Sequence, residues 1–248
     1  MILSLLALAV APGCAIVFYI YYKDKYDPEP MRNLIIAFFL GVLSIIPAIL
    51  LEKKLQPVLM QYVEPYSITY FTVFAFIVVA LSEELSKFVM LRYYAYPHKD
   101  FDEPLDGITY SVMISMGFAT LENINYVMQF GFATGVMRMF LSVPAHGAFG
   151  VLMGYHVGLA KFDPSHAWRH RMKGLLLATF FHGSFDFFLF LQNSPVVKQY
   201  ISNGLLVTGA VVSYLIAMRM SLKSIRLHQE LSKQSWIEKS LKVENQQT

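Results

Sequence analysis

Hydrophobic residues in this chain come in runs too long for the core of a soluble domain. A helix needs about 20 predominantly apolar residues to cross a bilayer. Seven stretches qualify: 2–22, 33–51, 68–91, 105–128, 136–160, 173–192 and 200–218. Their short connections predict one all-α polytopic membrane domain over 1–218, with about seven transmembrane helices. The polar remainder, 219–248, reads as a partly helical cytoplasmic appendage lying along the membrane surface. The first run could pass for a secretory signal. It has no basic leading region, however, and its small residues run into Pro12, so it is read as a retained helix.

Composition agrees: 56% of residues are hydrophobic and 15% charged, where soluble domains carry about 25% charged residues. Lys and Arg set the orientation. With the N-terminus outside they divide 15 to 4 in favour of the cytoplasmic side, Lys87 being set aside as intramembrane out of 20 in all. The C-terminus is therefore expected in the cytoplasm. The net charge of +3 records these cytoplasm-facing residues and does not point to nucleic acid. The single cysteine, Cys14, can form no disulfide within the chain.

Against this apolar background a few ionisable side chains stand out, confined to the third to sixth runs. They are Glu83, Glu84 and Lys87 in "SEELSK", Glu122 in "GFATLEN", His146 in "VPAHGAFG", and His182 with Asp186 in "FHGSFD". Each charged group at a helix centre costs about 2.5–3.5 kcal/mol, so a clustered set argues for one shared interior site. Lys87 stands i+4 from Glu83 and i+3 from Glu84, within reach of both along one helix face. Neighbouring glutamates diverge by about 100°, which lets one face the site while the other holds Lys87 or another helix. His182 and Asp186 are also i,i+4, so the carboxylate can fix the imidazole tautomer. Counting back from the tyrosines at 93, 94 and 96 places Glu83 about 15 Å deep, near mid-membrane or on the inner half. Small residues, among them Gly117, Gly147, Gly150 and Gly183, would let the helices approach closely.

Such a set supplies a general base, a general acid and an oxyanion partner for attack by water on an amide. Two histidines with carboxylates suit equally a catalytic Zn²⁺ with an open position. Proton- or ion-coupled transport is the rival reading, but 136–218 holds no second copy of the acid-rich helix. A non-catalytic membrane receptor would require a vestigial site, and no motif is missing.

In collinear order, "EELSK", "GFATLEN", "HGAFGVLMGY" and "HGSFD", with "YYKDKYDPEP" and "YPHKDFDEPLDGITY", resemble the PrsW family of intramembrane proteases. That family is related to the CAAX prenyl endopeptidase superfamily. The resemblance covers roughly residues 11–190. It implies a bacterial plasma-membrane peptidase that makes the first cut in a single-pass transmembrane anti-sigma factor, beginning the release of a sigma factor. It also implies Glu83 and Glu84 as the pair that activates water, His182 as acid or oxyanion partner, and Asp186 as its orienter. Glu122 and His146 complete the site, and zinc held by His146, His182 and Glu122 is one ligand set. Two positions depart from the wider superfamily. A lysine, Lys87, stands one place before the usual arginine, and Phe118 leads to Glu122 where a histidine is usual.

Overall fold

The computed structural model describes residues 2–247, and among them every regular element is helical. The first run forms α1 (Ile2–Lys23) and the second α2 (Met31–Tyr62). The third is one span, Ile68–Ala95. Within it, α3 (Ile68–Val73) passes through a π-helical stretch, Phe74–Leu81, into α4 (Ser82–Met90), and the span closes with a second π turn, Leu91–Ala95. Next come α5 (Pro104–Phe130), the short α6 (Phe132–Phe140), α7 (Ser142–Phe162), α8 (Ala167–Leu191) and α9 (Asn203–Gln247). Among the described residues, six helical spans are long and apolar enough to cross a membrane.

The long helix outside that six is α5, and its place in the fold explains why. Every residue from Leu105 to Thr120 is buried, because α1, α2 and α7 pack around it. It faces protein, so Thr109, Ser111 and Ser115 are accommodated where a lipid-facing helix would carry aliphatics. The outer helices show the opposite pattern, with Phe39, Leu43, Ile46 and Leu50 of α2 exposed.

Glycines set how close these helices come. A Cβ on Gly41 would fall 1.9 Å from the Ile114 carbonyl oxygen, and one on Gly117 would fall 1.9 Å from that of Phe38. α2 and α5 therefore touch backbone to backbone, which only glycine permits. Gly147, expected to serve the same purpose, would meet only side-chain atoms, at ordinary contact distance. Gly117→Leu should lower stability by about 3 kcal/mol, the upper end of overpacking costs, since backbone cannot give way as a side chain can. Thermal unfolding in detergent checks this, and an unchanged midpoint would contradict it.

Three boundaries differ from expectation. α2 continues through Glu52, Lys53 and Lys54, because the apolar sequence resumes after them as "LQPVLMQY". The run 136–160 is broken at Leu141, three residues before Pro144, whose ring and missing N–H disfavour continuing a helix through this point. The expected appendage is the unbroken continuation of α9, with no boundary at residue 218. Ile225, His228 and Ser232 are buried on that continuation, Ser221 Oγ donates to the Ala148 carbonyl, and Gln229 Nε2 donates to the Lys23 carbonyl. An amphipathic stripe that finds a protein surface has no need of the membrane surface. Met1 and Thr248, the ends of the expected units, lie outside the described residues.

Candidate active site

The π-helical stretch ends immediately before Ser82, and the α-helical turn after it carries both glutamates and Lys87 on the inward face. π-bulges add a residue to a turn and recur at functional sites. Beside this segment, α8 presents His182 and then Gly183. A Cβ on Gly183 would crowd the ring and Cα of Phe76, so this glycine lets α8 lie against the widened turn. His146 arrives from the first turns of α7, just past the break at Leu141.

These residues converge. Lys87 Nζ donates to Glu84 Oε1 at 2.7 Å and to Glu83 Oε2 at 3.3 Å, and it stands 3.2 Å from His146 Nδ1. Its ammonium also lies 4.1 Å from the centre of the Phe118 ring, a cation–π contact. His182 Nδ1 meets Glu84 Oε1 at 2.9 Å, while its Nε2 lies 3.2 Å from Asp186 and 3.9 Å from Glu83. Phe149 stacks on the His182 ring at 5.2 Å, and the His146 ring meets it edge-on at 5.0 Å. The i,i+4 pairing of His182 with Asp186 is thus present, and the opposite nitrogen is turned to Glu84.

The two glutamates occupy different surroundings. Glu84 is 0% exposed, held between Lys87 and His182. Glu83, 6% exposed, lines a cavity of about 470 Å³ together with His146, His182, Asp186, Glu122 and Arg138. The walls come from the C-terminal parts of α2, α5 and α8, the part of the Ile68–Ala95 span from Phe74 to Glu83, Arg138 of α6 and the start of α7. In an up-and-down bundle these parts share one end, the end opposite the loops at 24–30 and 96–103. Glu83 and His182 therefore sit at the floor of a cavity belonging to that end, and helix arithmetic alone could not reveal it.

Glu122 stands apart from the close group. Its Oε2 accepts from Arg138 at 2.6 Å and meets His146 Nε2 at 3.1 Å. Arg138 also donates to Asn123 Oδ1 at 2.9 Å, with its guanidinium 4.1 Å from the Tyr126 ring. This arrangement depends on Gly131, whose φ of +82° turns the chain between α5 and α6. α6 then runs back beside α5 and delivers Arg138 to Glu122. By sequence Arg138 is one of the four basic residues on the outer side of the 15-to-4 division, and Pro144 is the sign of a separate short helix. Glu52 was also missed, and it lines the same cavity from α2.

The site can be tested for a metal by its donors. One atom each from Glu83, Glu84, His146 and His182 lie within 4.8 Å of one another, and all four residues are buried. Two imidazoles with a carboxylate match the three N or O ligands of a catalytic zinc. Three of these residues, Glu83, Glu84 and His146, contact the Lys87 ammonium, which offsets part of the carboxylate charge in the arrangement seen here. Of the expected ligands His146 and His182 belong to this close group, whereas Glu122 is drawn towards Arg138.

Comparisons with known proteins show the family. The family model described as "PrsW family intramembrane metalloprotease" matches residues 29–219. "Protease PrsW" of Geobacillus kaustophilus (strain HTA426) is 38% identical over 189 residues, covering 75% of this chain and 80% of that protein. "Protease PrsW" of Bacillus subtilis (strain 168) is 37% identical over 190 residues, covering 75% and 83%. "Protease PrsW" of Clostridioides difficile (strain 630) is 35% identical over 196 residues, covering 77% and 81%. No solved structure matches the chain.

Proposed function

From the premise that this chain belongs to the PrsW family of intramembrane proteases, we propose that it hydrolyses a peptide bond near the outer end of a single-pass transmembrane anti-sigma factor. The chain is a multi-pass membrane protein and its family is one of peptidases. The observation that carries the finer reading is the division of labour between the glutamates, since Glu83 faces the cavity and Glu84 is enclosed. The transporter alternative gains nothing from this family membership.

Glu83 is the base. A water in the cavity beside Glu83 Oε2 attacks the scissile carbonyl carbon and passes its proton to that carboxylate. A C–O bond forms, and the carbonyl oxygen becomes an oxyanion. The carbonyl then re-forms as the C–N bond breaks, His182 Nε2 gives a proton to the departing amine nitrogen, and the proton held by Glu83 passes back to His182. Glu84 holds His182 from Nδ1, Asp186 fixes it from the cavity side, and Lys87 keeps both glutamates in register. A metal of the kind the family description implies would be held by His146, His182 and a glutamate, and would supply Lewis-acid polarisation of water or carbonyl. Elemental analysis of purified protein tests this: zinc near one equivalent, lost in His146→Ala and in His182→Ala, is the expected result. Activity in a metal-free preparation would leave the glutamate mechanism acting alone.

Orientation links the site to the substrate. With basic residues divided 15 to 4, the cavity end is external, the side on which a first cut is made. A reporter fused after Lys173 or at the C-terminus should behave as cytoplasmic, and one near Gln61 as external. Co-expression with a candidate anti-sigma factor should yield a fragment shortened from its outer side. A fragment that forms equally without this chain would refute the substrate assignment.

A further inference from the structure

A second buried acidic group lies at the opposite end of the bundle. Asp24 follows α1, Glu103 precedes α5, and Asp106 lies in the first turn of α5; all three are buried. One carboxylate oxygen from each lies within 4.8 Å of the others. Asp24 Oδ2 accepts from the Glu29 backbone N–H at 3.2 Å, and Asp106 Oδ2 accepts from those of Asp102 and Glu103, each at 2.8 Å. Backbone thus fixes these carboxylates from one side. Asp24 Oδ1, Asp106 Oδ1 and Glu103 Oε1 are left buried and without partners.

Lys161 and Lys239 act on Asp106 and Glu103 only from a distance. Among the described residues no Lys or Arg forms an ion pair with Asp24, Glu29, Glu103 or Asp106; the nearby Lys239 is paired with Asp27. A further polar group points to a ligand. Ser232 of α9, 1% exposed, faces Glu103, and its hydroxyl has no partner in hydrogen-bonding geometry. Buried oxygens that converge without donors or cations are costly.

We propose that Asp24, Glu103 and Asp106 form a binding site for a hard divalent cation, Mg²⁺ or Ca²⁺, that fastens the extension of α9 to the loop end of the bundle. The donors are all oxygen, as these ions require, and bound water completes the coordination. Ser232 stands where it can hydrogen-bond such a water. Asp24 and Ser232 both lie outside the residues the family model matches. The site therefore joins this chain's two flanking segments through the start of α5, and it is independent of the mechanism proposed above.

The test is thermal unfolding of the full chain in detergent. The protein is stripped with EDTA, then given MgCl₂ or CaCl₂ against NaCl of equal ionic strength. Saturation at about 100 times Kd should raise the midpoint by about 5–10 °C. The larger response identifies the preferred ion. Asp24→Asn and Glu103→Gln mimic the protonated acids and should fold, yet lose the rise. Hydrogen exchange over residues 219–240 provides a second measurement, and should slow only with the ion present. No rise with either ion, a rise retained in both variants, or exchange indifferent to the ion would overturn the proposal.

Discussion

Glu83→Gln is expected to lower peptide-bond cleavage by about 10²–10⁴-fold while leaving the protein folded. Glutamine keeps the size of the side chain and one acceptor, but it cannot take a proton from water. The fold should survive because Glu83 is the more loosely held of the pair, with Lys87 at 3.3 Å against 2.7 Å for Glu84. Glu84→Gln should differ in kind. It disturbs the carboxylate on which both Lys87 and His182 converge, so activity and thermal stability fall together. Initial rates on a quenched transmembrane peptide, beside melting curves for each variant, separate the two. Equal stability losses in both variants, or a wild-type rate in Glu83→Gln, would remove the distinction drawn between the glutamates.

Lys87→Met should produce the largest loss of stability, about 3–5 kcal/mol, the usual result of removing one partner from a buried ion pair. Methionine fills the volume and keeps contact with Phe118, but it leaves two buried carboxylates facing each other across His182. The lost charge, rather than lost packing, is the cause. Lys87→Met combined with Glu84→Gln should therefore regain part of the deficit, a coupling that a double-mutant cycle measures. Additive losses would show that Lys87 acts through packing alone.

Much of this was legible in the chain. The apolar runs marked the helices because lipid imposes a length and a composition on whatever crosses it. The intramembrane acids and histidines marked a candidate site, and they do converge, because each is costly to keep in lipid. The i,i+3 and i,i+4 spacings gave the Lys87 and Asp186 pairings, both local to one helix. What depended on tertiary approach was hidden. Arg138 reaches Glu122 only because Gly131 and the break at Leu141 fold a short helix back over α5. Glu52 reads as an interfacial residue until α2 is seen to continue past it. The divergence of about 100° between Glu83 and Glu84 lets one of them face the site, but which one does so depends on tertiary packing, and no periodicity contains that. The packed tail was hidden likewise, since a polar sequence with a sparse stripe of Ile225, His228 and Ser232 suits a membrane surface as well as a protein one.

The central claim is that Glu83 and His182 hydrolyse a peptide bond entering from the cavity end. The most direct measurement places the purified chain in liposomes with a single-pass transmembrane peptide, in water enriched in ¹⁸O, and locates the cut by mass spectrometry. The account predicts one main cut toward the end of the peptide that lies on the Gln61 side of the membrane, with one solvent oxygen in the new carboxyl terminus. An intact peptide after prolonged incubation, or cleavage confined to the side of Lys173, would contradict it.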